Sequence, residues 1–200
     1  MPRCENYQER FLERSQRNAY LPKLAIQAKE IKEKSLERLD ELVRTSCDNI
    51  EDNRGYCYTA KDSEEVREII SDIVGRGKAV VKSLSPTLEE IGIRHHLERS
   101  NNDVCEVELG SILYSILRLS RRGKIDVGKI ASHIEQIIGE PIDVSEESVI
   151  LSINRYLRRG LQRADVGISG VTTLAADPGA LFLVSARGVN RLITMAPTIH

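Results

Sequence analysis

The chain has 200 residues, enough for one α/β domain with an appended helical segment. Its 29 Lys and Arg stand against 30 Asp and Glu, and the net charge of -1 excludes the broad positive field of a generic nucleic-acid or anionic-membrane binder. Apolar content of 40% and charged content of 30% point to exposed helical surface, and no run approaches the roughly 18 apolar residues of a membrane span.

The N-terminus Met1-Pro2-Arg3-Cys4-Glu5 begins polar, and the cytoplasm is the location expected by default. Residues 7–49 contain no Gly and are rich in Glu, Lys, Arg and Leu. Leu24, Ala28, Ile31, Leu39 and Leu42 then mark the apolar face of an amphipathic helix beginning at Pro22, with residues 9–20 as a separate short helix. Residues 1–50 therefore read as a helical arm and 51–200 as an α/β domain. Within the latter, 56–60 are rich in strand formers, and Asp62 or Ser63 caps a helix ending at Gly75 or Gly77. Residues 78–82 read as a strand, 86–99 as a helix, 104–107 as a strand and 110–119 as a helix. Such alternation predicts a mostly parallel sheet flanked by helices. Val127, Ile130, Ile134, Ile137 and Ile138 give a further helix stopping near Gly139, and Ser145 opens another that frays near Gly160 or Ala164. Beyond Asp165, short strands at 166–170, 174–176, 180–184 and 192–195 are expected, separated by glycine-bearing turns that let backbone approach a ligand.

Two constellations could carry chemistry. Lys82, Ser83, Ser85 and Thr87 stand at a strand-to-helix junction, where a lysine, hydroxyls and free amides could hold a small anion at the strand ends. Gly167, Ser169, Gly170, Thr172 and Gly179 form the second, with Asp177 as its sole acid and the candidate acid-base or nucleophile. Arg191 could clamp an anionic ligand from the connection beginning at Arg187. Adjacent His95 and His96 point about 100° apart on a helix and make a poor metal pair. Cys4, Cys47, Cys57 and Cys105 lack Cys-x-x-Cys spacing and read as reduced thiols, so no metal site and no cofactor is expected within the chain. Basic clusters at Arg118, Arg121, Arg122 and Lys124, and at Arg155, Arg158, Arg159 and Arg163, read as solvated helix ends.

The stretches 28–32, 36–42, 82–85 with 89–92, and 164–170 resemble lactate-utilisation (LUD-domain) proteins, as do Gly179 and residues 191–197. The helical arm resembles that of the iron-sulfur subunit of the L-lactate oxidation complex. This resemblance implies a fold akin to the ribose-phosphate isomerase and CoA-transferase group. It also implies a role, at most as a non-catalytic subunit, in passing electrons from L-lactate to an acceptor. Iron-sulfur clusters would belong to a partner or a downstream domain, and the family's LUD domain extends past His200. The implied partners are other lactate-utilisation subunits or a second copy, together with a small anionic metabolite. The chain departs from the family at Asp177-Pro178-Gly179, where Glu-Thr-Gly is common, and at Arg187, where an acid is common. The alternative reading is a self-sufficient isomerase- or CoA-transferase-like enzyme using Asp177, with Lys82, Ser83 and Ser85 on phosphate.

Overall fold

A computed structural model describes residues 18, 20–107, 126–185 and 188–200 of the chain. The expected helix at 110–119, the basic cluster of residues 118–124, the short helix at 9–20 up to residue 17, Cys4 and Arg187 lie outside the described residues. The chain forms two compact units. The first comprises its described residues up to Cys57 with Ala175–Ala180; the second comprises Tyr58–Leu174 and Leu181–His200.

In the first unit, helices α1 (Tyr20–Glu37) and α2 (Leu39–Asp52) are separated at Arg38, whose backbone leaves helical geometry. The apolar stripe expected along α1 exists, yet no residue of that helix is buried. The Asn49 side-chain amide donates to the Ala176 carbonyl at 2.8 Å, and that of Asn53 donates to the Asn49 carbonyl at 2.7 Å. Gly179 has a φ of +79°, and a Cβ there would stand 2.9 Å from that of Asn49, so only glycine fits this approach. Cys47 and Cys57 form a disulfide, which corrects the reading of four reduced thiols. Residues 56–60 form no strand despite their β-formers: with no neighbouring strand to pair with, propensity alone does not make a ladder.

The second unit is an α/β layer. Its elements are α3 (Ser63–Val74), β1 (Ala79–Lys82), α4 (Pro86–Ile91), α5 (Ile93–Arg99), β2 (Asp103–Glu106), α6 (Val127–Ile138), α7 (Glu146–Arg163), β3 (Val166–Ile168) and α8 (Val189–Met195). Strands β4 (Thr173–Ala175) and β5 (Ala180–Phe182) form a separate two-stranded sheet. The main sheet runs β2-β1-β3 with both pairings parallel, and Ile199 adds a parallel bridge to Val166.

Strand alternation sorts the core onto the two sheet faces. Val80, Val104 and Val166 pack with Val74, Leu88, Ile93 and Leu97, while Val81 and Cys105 pack with Ile193, Tyr156, Leu157 and Leu161. A third cluster joins Ile130, Ala131 and Ile134 to Val149 and Ile153. Gly167 sits where an added Cβ would lie 2.2 Å from the Ile193 carbonyl oxygen, so β3 and α8 approach through a missing side chain.

The caps explain the boundaries. Asp62 accepts from the amides of Glu64 and Glu65, Asp126 from Gly128, and Ser145 from Ser148. The single helix expected over 86–99 is two, because left-handed Gly92 ends α4 and begins α5. Residues 192–195, expected as a strand, belong to α8: Asn190 and Ile193 fall on one buried helical face, and no strand is available to pair with them.

Candidate functional site

The carboxyl ends of β1 and β3 lie side by side, since Lys82 is in register with Ile168, and here two stretches 87 residues apart meet. The Ser83 amide donates to the Ile168 carbonyl at 2.9 Å, and Ser83 Oγ accepts from the Gly170 amide at 3.1 Å. A Cβ on Gly170 would stand 2.4 Å from Ser85 Oγ, so the glycine is what admits Ser85 beside it. Ser85 holds the N-cap position with Pro86 inside the first turn, but its hydroxyl does not cap the helix. Ser83 and Ser85 are buried, and Thr87 is exposed.

Ser169 Oγ lies 2.8 Å from His200 Nε2. Partial burial lowers the imidazole pKa, which favours a neutral ring at that contact. His200 was not in the expected site. Its 31-residue separation from Ser169 is bridged by the run of Ile199 along β3, and no local motif announces that pairing.

Lys82 is the most deeply buried charged residue among the described residues, with 1% of its side chain exposed. Nζ lies 2.7 Å from Glu89 Oε1 and 3.4 Å from Glu106 Oε1. Arg94 joins Glu98 at 2.9 Å and Glu106 at 3.6 Å; the Glu98 hydrogen bond, above all, raises its pKa. Two cations therefore face three carboxylates, and the edge as it stands carries no positive excess. The charge of Lys82 is already engaged inside the fold, and α4, with six residues, is too short to supply a helix-terminus anion site.

The remaining expected residues have surroundings of their own. Thr172 donates its amide to the Phe182 carbonyl at 2.9 Å and accepts from the Val184 amide through Oγ1, which engages it beside the β4-β5 sheet. Arg191 is exposed on α8. Asp177 is exposed in the turn between β4 and β5, and it and Gly179 belong to the first unit. His95 contacts Glu98 and His96 contacts Ser71, so the two histidines do not converge.

Among the described residues no three His, Cys, Asp or Glu side chains converge as metal ligands. Among the described cysteines, Cys47 and Cys57 are joined to each other and Cys105 is buried beside Tyr156, so these three do not form a cluster-ligating set. No described helix is long and apolar enough to cross a membrane.

Residues 44–200 match the protein family described as the LUD domain. Lactate utilization protein B of Bacillus licheniformis is 31% identical over 179 residues, covering 85% of this chain and 38% of that protein. The Bacillus subtilis protein of the same name is 30% identical over 179 residues, covering 85% of this chain and 37% of its own. An Escherichia coli protein named uncharacterized electron transport protein YkgF is 29% identical over 184 residues, covering 86% of this chain and 38% of its own. The chain thus spans well under half the length of these relatives. No solved structure matches it.

Proposed function

Because the chain belongs to the LUD-domain family, we propose that it serves as a lactate-utilisation subunit of an L-lactate oxidation and electron-transfer system. In this reading it binds a small anionic metabolite at the carboxyl ends of β1 and β3 and works with other lactate-utilisation subunits. The observation that carries the site is the junction of Ser83 and Ser85 with Gly170 at adjacent parallel strand ends, where open α/β sheets place ligands. The electron-transfer role rests on the names of the relatives, and iron-sulfur clusters, where the system has them, are assigned in this reading to a partner or a downstream domain. The chain's own contribution is to orient and hold: Gly170 fixes Ser83 Oγ as an acceptor, leaving that hydroxyl's proton to be donated.

Thermal unfolding with L-lactate, pyruvate, a sugar phosphate and a CoA ester tests the reading, because a ligand of the folded state alone raises apparent stability. L-lactate or pyruvate at 100 times its dissociation constant should add about 2.7 kcal/mol, with the other two inert. Stabilisation by the sugar phosphate or CoA ester alone would overturn it in favour of an isomerase- or transferase-like enzyme. No response to any of them would remove metabolite binding.

A further inference from the structure

The two carboxylates on Lys82 differ in how firmly they are held. Glu106 has 16% of its side chain exposed; its Oε1 is fully covered, and its Oε2 faces Arg94 at 3.6 Å. Glu89 has 56% exposed, and its described polar side-chain contact is the 2.7 Å approach to Lys82. An ammonium taken out of water requires an anionic neighbour, so Lys82 cannot be left without one. Glu106 is the fixed neighbour and Glu89 the removable one.

We propose that the Glu89 carboxylate is an internal stand-in for a ligand, occupying the place on Lys82 that the carboxylate of a small organic acid takes when it binds. The inference rests on the anion site proposed above and adds the atom that recognises the ligand and the group that vacates. Exchange of one carboxylate for another leaves Lys82 with the same count of anionic contacts, while the displaced Glu89 carboxylate turns into water, where its repulsion of the ligand is screened. Glu89 is an exposed residue in the first turn of the six-residue α4, whose Leu88 stays anchored in the core, so release is a side-chain rotation into water that leaves the sheet intact. The ligand class is a short carboxylate small enough to stand where the Glu89 carboxylate stands. Its affinity is reduced by the fraction of molecules in which Glu89 holds Lys82.

Calorimetric titration of the full chain with L-lactate tests this, using wild type, Glu89→Gln and Glu89→Asp at constant ionic strength. Removal of the internal competitor should tighten L-lactate binding by about 10-fold in Glu89→Gln. Glu89→Asp, charged but shorter, should fall between, and lactamide, which lacks the carboxylate, should not bind. Binding by wild type with equal or weaker binding by both variants overturns the stand-in while the proposed site survives. Equal binding of lactamide overturns it as well. Absence of L-lactate binding in all three proteins overturns both.

Discussion

Cys105 lies in β2 in the cluster against which Tyr156 of α7 packs, and Gly160 of the same helix passes so close that a Cβ there would stand 2.6 Å from Sγ. Burial pushes the thiol pKa from 9.0 up to about 11, and burial likewise raises that of Tyr156. The folded state therefore keeps a proton that the unfolded chain releases from pH 9 upward. Stability is fully present below pH 9 and falls as pH rises through the window to about 11, by about 1.4 kcal/mol per pH unit for the thiol. Urea midpoints measured from pH 8 to 11 should show this decline, with a shallower one in Cys105→Ala. Lys82 shows what was legible at this scale and what was not. Its position at a strand end follows from the apolar run before it, but Glu106, 24 residues on, becomes its neighbour only when β2 pairs with β1.

Helices with their own punctuation were readable as elements. Asp62, Ser145 and Gly139 satisfy end groups of their own helices, so the signal and its cause lie within a few residues. Residues 56–60 and 192–195 depart from their strand-like composition for the opposite reason: β-forming side chains become a strand only beside a partner strand, and these have none among the described residues. Cys57 is instead fastened to α2 by the Cys47–Cys57 disulfide, whose sequence separation is 10. Closing a loop of that size restricts the unfolded chain by about 2–3 kcal/mol. Thermal melts should accordingly fall on adding dithiothreitol, and a Cys47→Ser/Cys57→Ser variant should melt at the reduced value under both conditions. An unchanged melt would show that the bond contributes nothing to stability.

For the molecule as a whole, charge is the property that sequence composition fixes most directly. A net charge of -1 gives no field to gather polyanions, and Arg159 and Arg163 of the basic α7 face Glu140 at 2.6 Å and Asp103 at 3.9 Å. The protein should pass through a heparin column at physiological salt, and retention there would reveal a cationic face that the balance of charges conceals.

The sequence by itself determined the α/β class, the parallel order of strand and helix, most helix ends and the family, because each depends on neighbouring residues or on a run of matching ones. Tertiary structure alone decided that Ser83 meets Gly170, that His200 reaches Ser169, that Glu106 stands against Lys82 and that Cys47 bonds Cys57. Each of these contacts joins positions whose proximity is created by strand pairing or chain reversal. No property of either residue specifies its partner until the backbone has brought the two together.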